Sequence, residues 1–210
     1  MAPSEASSGT GRRYKGALLS VGLVGAVLVG IGVWRGSVDP PVDVPDSVCG
    51  LDLPGSAVEP LLPERGDAFE QSDFTFHPDR LGSVPQSCVL SAAGEQVRLG
   101  VQTILFTDDF DRAAAARKAE LPGHAPVRLG DALGDSHANS VSLYVPCLTG
   151  DGKENLLAFT VGVSGDGTLR QRGLVPRTAA LTADLARNLA PRAKDCKVKN
   201  ALPSGPPSTG

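Results

Sequence analysis

Apolar positions along this chain recur with three different spacings. The stretch 16–34, GALLSVGLVGAVLVGIGVW, is apolar without interruption and carries no charge. At about 1.5 Å of rise per residue, a helix of that length just covers the roughly 30 Å hydrocarbon core of a bilayer. Further on the spacing falls to two. Val97, Leu99, Val101, Thr103 and Leu105 alternate with Arg98, Gly100, Gln102, Ile104 and Phe106, which predicts a strand with one strongly apolar face. Cys88-Val89-Leu90 precedes it across the turn-forming Ala93-Gly94-Glu95, so the two form a hairpin. Val141, Leu143, Val145 and Cys147 face one way in the next strand, with Ser140, Ser142 and Tyr144 facing the other. The turn Thr149-Gly150-Asp151-Gly152 leads to a partner strand whose buried face is Leu157, Phe159, Val161 and Val163. Ser164-Gly165-Asp166-Gly167 ends that strand.

Helical spacing appears twice between and after these hairpins. Asp108-Asp109-Phe110-Asp111 is expected to open a helix, with Asp108 as cap and its acidic neighbours at the positive end of the dipole. Phe110, Ala113, Ala114 and Leu121 would share its buried face, and Pro122-Gly123 would stop it. A second helix is expected from about 176 to 190, with Pro176 in its first turn and Leu181, Leu185 and Leu189 in a stripe. Pro191 ends it. Residues 122–139, rich in Gly, Asp and His, read as a long loop, and such loops are often binding surfaces. The predicted fold class is α+β. About four antiparallel strands in two hairpins are covered on one face by helices.

Composition divides the chain around these elements. Residues 1–15 form a short polar tail, of which 1–11 are expected to be disordered. Residues 35–48 are a Pro-rich linker, 49–198 the folded domain, and 199–210 a disordered tail. Arg12, Arg13 and Lys15 flank the apolar run on one side and only Arg35 follows it on the other, so the N-terminus is assigned to the cytoplasm. Tyr14 and Trp34 sit at its two ends, where amphipathic aromatics favour the interface. A cleaved signal peptide is the rival reading. It would have a shorter apolar region and a small-x-small site that Gly30-Ile31-Gly32 imitates poorly. Gly22, Ala26 and Gly30 put small residues on one stripe, which would let two such helices approach as a homodimer.

Charge and cysteine content narrow the classes further. A net charge of −3 and a pI near 5.6 argue against nucleic acid as a partner. Cys49, Cys88, Cys147 and Cys196 all follow the apolar run, which suits two disulfides in an oxidising compartment. A four-cysteine zinc site is the rival, but it would normally contain a C-x-x-C pair, and none occurs. The hairpin order brings the end of the last helix back toward Cys147, which favours Cys147–Cys196 and leaves Cys49–Cys88.

Candidates for chemistry are sparse. His77, His124 and His137 lie in loops with no i, i+4 pair, so spacing supports no metal centre and no cofactor. Gly134-Asp135-Ser136 before His137 is similar to the nucleophile block of the GDS-type esterases. That block follows the first buried strand of a larger α/β domain, whereas here it lies mid-chain. There is no G-x-S-x-G elbow, P-loop or H-E-x-x-H. Asp108, Asp109 and Asp111 lack the calcium-loop pattern and suit capping.

The arrangement of tail, anchor, spacer and four-cysteine domain resembles the membrane-anchored extracytoplasmic proteins of streptomycete-type actinobacteria. The resemblance is carried by Ser47-Val48-Cys49-Gly50-Leu51 and Lys194-Asp195-Cys196, and it implies no particular activity. The expectation is a non-enzymatic binding domain at the outer membrane face, with an envelope protein as partner. The alternatives are an envelope hydrolase using His124, Asp135, Ser136 or His137, and a single-pass sensor.

Overall fold

Three long antiparallel strands form the backbone of the domain in the computed structural model. The model describes residues 39–50, 53–72, 76–77, 80–81, 84–105, 111–165, 173–194 and 196–210, the side chains of 101–105 excepted. The anchor 16–34, with Gly22, Ala26 and Gly30, and the tail 1–15 lie outside the described residues. Among the described residues no helix is long and apolar enough to cross a membrane.

Strand β5 (Glu95–Leu105) pairs with β4 (Gln86–Ala92) on one side and with β9 (Glu154–Ser164) on the other. Strand β8 (Ser140–Leu148) follows against β9. The turn residues Ala93 and Gly94 both have positive φ, 50° and 79°, which suits the tight reversal between β4 and β5. Around these four strands the sheet is larger than expected. Short strands β1 (Ser47–Val48) and β2 (Leu53–Pro54) pair with each other apart from it, and β3 (Glu70–Gln71) adds to β4. On the far side lie β6 (His124–Leu129) and β7 (Ala132–His137), then β10 (Lys197–Val198) and β11 (Ser208–Thr209). Among the described residues nine strands make the main sheet, in the order β11-β6-β7-β8-β9-β5-β4-β3, with β10 pairing with β8 beyond the end of β7.

Residues 122–139 are therefore a hairpin and not a loop. Val127, Leu129 and Ala132 point to the core face, while His124, His137 and Asp135 occupy the alternate positions. Gly, Asp and His are poor strand formers in isolation. Here β8 supplies the ladder, from Leu133 paired with Tyr144 to His137 paired with Ser140. Gly134 makes that approach possible, since a Cβ there would stand 2.0 Å from the Ser142 carbonyl oxygen. Gly130, at φ +58°, turns the chain between β6 and β7.

Helices lie on both faces, a correction to the single covered face. Helix α1 (Arg112–Lys118) is capped by Asp111, whose Oδ1 accepts from Ala114 N at 2.6 Å. Asp108 and Phe110 lie outside the described residues. Leu121, expected on the buried face, falls beyond the helix and is 52% exposed. Helix α1 packs Ala115 against Tyr144, Leu156 and Ala158. Helix α2 (Leu174–Leu189) covers the other face and continues as a 3₁₀ turn, Ala190–Arg192. Its buried Leu181, Leu185 and Leu189 meet the apolar side chains of β8 and β9, including Leu143, Phe159 and Val161. The 3₁₀ turns Gly55–Ala57 and Glu59–Leu61 add Val58 and Leu61 to the same core.

Both chain ends of the domain are more firmly held than composition suggests. In the Pro-rich linker, Val42 N donates to Glu64 O at 3.0 Å and Gly66 N to Pro40 O at 2.9 Å, while Val42 and Val44 pack on the core. Residues 199–210 are a strap and not a disordered tail. β11 pairs with the outer edge of β6, and Gly210 N donates to Pro126 O at 2.9 Å. An exposed edge offers unpaired backbone groups, and an extended segment needs no apolar side chains to use them. Disulfides join Cys49 to Cys88 and Cys147 to Cys196, with Cα separations of 5.8 and 5.2 Å. The first fixes the start of the domain to β4, and the second fixes the chain after α2 to β8.

Candidate functional site

Beyond the patch where α1 covers Tyr144, Leu156 and Ala158, the side of the sheet away from α2 is polar. Cross-strand pairing aligns Asp135, Ser142, Thr160 and Gly100 in one row and His137, Ser140, Gly162 and Arg98 in the next. The Ser142 and Thr160 hydroxyls are 3.1 Å apart, within hydrogen-bonding distance. Among the described residues nothing in the packing forces glycine at position 100 or 162. A Cβ at Gly162 would meet Ser140 Cβ at 3.7 Å, and one at Gly100 would find nothing nearer than 3.8 Å. Glycine weakens a strand interior, and one that packing does not require marks a place where another group approaches.

Asp135 is the electrostatic centre at one end of this face. Its side chain is 3% exposed. His124 Nδ1 lies 2.8 Å from its Oδ2, the Lys118 ammonium 3.2 Å from its Oδ1, and the Tyr144 hydroxyl donates to Oδ1 at 3.4 Å. A carboxylate can only accept, so His124 carries its proton on Nδ1 when neutral and presents Nε2 as an acceptor. Lys118, in the last turn of α1, also donates to Tyr144 Oη at 2.9 Å. Burial works to lower the Lys118 pKa. The Tyr144 hydroxyl and then the Asp135 carboxylate outweigh it and hold the ammonium above its ordinary range. A buried charge left unpaired is costly, so this set holds together as a unit. His137 stacks on His124 with centroids 4.2 Å apart and an interplanar angle of 17°, and its Nδ1 lies 3.3 Å from Gly123 O.

Ser136 is on the other side of the sheet. Alternation along β7 turns it toward the α2 face, paired with Val141 and Ala125, and its hydroxyl donates to Ala125 O at 3.4 Å. His124, Asp135 and His137 are thus brought together and Ser136 is not, so no Ser–His–Asp relay is assembled. The other hydroxyls of the polar face are engaged. Ser140 donates to His137 O at 3.0 Å, and Ser142 is paired with Thr160. His77 lies before β4, where its backbone N donates to the Gln86 side chain at 2.6 Å. Asp131 accepts from Asn200 Nδ2 at 2.6 Å. Among the described residues no cluster of His, Cys, Asp and Glu has the makings of a metal site.

Sequence reasoning missed Lys118 and Tyr144. Tyr144 had a signal, because it lies on the same side of β8 as Ser142, which pairs with Asp135. Lys118 had none, since only the packing of α1 on β7 brings it to the carboxylate.

The fold and site define a disulfide-stapled antiparallel sheet with one polar, partly open face. No family model, curated protein or solved structure matches the chain.

Proposed function

We propose that this chain is a single-pass membrane protein of the actinobacterial kind it resembles. Residues 1–15 are cytoplasmic, 16–34 cross the bilayer and the domain is outside. That domain is a non-enzymatic binding module whose polar sheet face receives an envelope partner. One observation carries the reading: Gly100 and Gly162 keep the middle of that face low, although the described residues leave room for a side chain at both. The two disulfides support an oxidising location. The hydrolase alternative is disfavoured by Ser136, which lies on the opposite face from the His124–Asp135 pair.

The test is crosslinking of the full chain in its native envelope, comparing the wild type with Gly162→Val. Valine has a higher strand propensity than glycine, so the variant folds and keeps both disulfides. The expected result is a crosslinked species that the wild type forms and the variant loses. Equal crosslinking by both, or a full-length chain found in the cytosol with four alkylatable thiols, would overturn the proposal.

A further inference from the structure

A cleft of about 740 Å³ lies between the end of α2 and the C-terminal strap. Its size falls in the range of roughly 300–1,000 Å³ usual for small-molecule sites. The other concavities described, of about 70 and 170 Å³, fall below it. Ala190, Pro191, Ala193, Val198 and Leu202 give it an aliphatic lining. Ala190 and Ala193 are buried, while Arg192, Lys194 and Lys197, which also line it, are exposed.

The walls are held in place before any ligand arrives. The Cys147–Cys196 bond fixes the chain that leaves the 3₁₀ turn, and β10 pairs with β8. Asn200 is tied to Asp131 at 2.6 Å, and Arg187 Nε donates to Pro203 O at 2.9 Å. Arg187 is a structural cation, since it also pairs with Asp184 at 2.7 Å and donates to Gly205 O. The side chains of Lys194 and Lys197 have no ion pair or hydrogen bond among the described residues. Preorganised walls reduce the ordering cost of binding.

From this lining we infer that the cleft binds an anionic single-chain amphiphile. The aliphatic chain lies against Ala193, Val198 and Leu202, and the carboxylate or phosphate head lies at Lys194 and Lys197. Among the described lining residues none is acidic, and Arg192, Lys194 and Lys197 give that part of the rim positive charge. None is aromatic either, which removes the stacking platform that a sugar ring or nucleobase would use. Asn200 is the one neutral polar side chain among the described lining residues, and one of its amide N–H groups is given to Asp131. An uncharged polar ligand would therefore find few partners, whereas an apolar chain with a charged head matches both parts of the surface.

The experiment uses the full chain in phosphatidylcholine nanodiscs, labelled with a photoreactive diazirine analogue of dodecanoate and mapped by mass spectrometry. Labelling is expected within residues 190–202. Excess dodecanoate or dodecyl phosphate displaces it, and dodecanol does not. If only the carboxylate competes, the source is a free fatty acid; if the phosphate competes as well, lysophospholipids are included. The double variant Lys194→Gln/Lys197→Gln changes exposed side chains only and requires about tenfold more probe for equal labelling, the loss expected for charge-assisted contacts. Gly162→Val leaves the labelling unchanged, which separates this site from the sheet-face proposal. Displacement by dodecanol as effective as by dodecanoate, labelling confined to other segments, or no effect of the lysine substitutions would each overturn the inference.

Discussion

Asp135 and Lys118 meet across two elements that share no local sequence, with the ammonium 3.2 Å from a carboxylate that is almost wholly buried. Together with His124 and Tyr144 they hold α1 against β7 and β8. Replacing Asp135 by Asn removes the charge that these donors share. The expected loss is about 1–2 kcal/mol, below the full cost of breaking a buried pair, because Lys118 is partly solvated. Chemical denaturation followed by circular dichroism measures it, and an unchanged midpoint would show the network to be energetically idle.

The same contact has a pH signature. The folded-state pKa of Lys118 is raised, so its contribution is complete below the unfolded value of about 10.4 and is lost as pH rises through the folded value. The stability difference between wild type and Lys118→Met is therefore expected to stay constant from about pH 7 to 10 and to narrow above about 10.4. Denaturation midpoints across that range give the answer, and narrowing already below pH 9 would contradict it.

Asp151, at the tip of the β8–β9 hairpin, titrates low. The Thr149 hydroxyl, and after it Lys153, hold its carboxyl at about 2. A depressed value means that the hairpin contact is present above the ordinary carboxylate range and is lost as pH falls toward 2. Carbon-detected NMR titration of the Asp151 carboxyl is expected to show this, with Thr149→Ala moving the value back up. A titration unaffected by that substitution would refute the assignment of cause.

Gly134 is the point at which β7 comes closest to β8. A methyl group there would lie 2.0 Å from Ser142 O and 3.1 Å from Leu143 Cα, both backbone atoms that have little room to yield. Gly134→Ala is expected to cost about 1–3 kcal/mol as overpacking. It should also raise hydrogen exchange at β6 and β7 above that at β4 and β5. Uniform protection across the sheet in the variant would argue against the close approach.

The disulfides close loops with sequence separations of 39 and 49. In the chain-entropy model each is worth about 4 kcal/mol. Cys147→Ser/Cys196→Ser is expected to lose about that much and to free the strap, since it cuts the tie between β8 and the chain after α2. Limited proteolysis after residue 196 would report the release, and resistance equal to the wild type would show that β10 and β11 suffice.

What was legible in the sequence was local. Strict alternation marked β5, β8 and β9, because a strand with one buried face writes its period into neighbouring residues. The leucine stripe marked α2, and the even cysteine count after an apolar run marked an oxidised domain. The strap and the β6–β7 hairpin left no such trace. Ser208 and Thr209 become a strand only because β6 exposes an edge, and residues 124–137 only because β8 lies within reach. Their pairing energy comes from partners distant in the chain, which composition cannot register.

The amino-acid order by itself determined the alternating strands, the amphipathic final helix and the cysteines available for crosslinking. Only tertiary structure decided that Asp135 and Ser136, neighbours in the chain, face opposite sides of the sheet with the histidines on one side alone. It also decided that Lys118 neutralises that aspartate, and that the end of the chain closes a cleft beside α2. The physical reason is the same in each case. Periodicity arises from adjacent residues, whereas a site arises from whichever strands and helices come to lie next to one another when the core is buried.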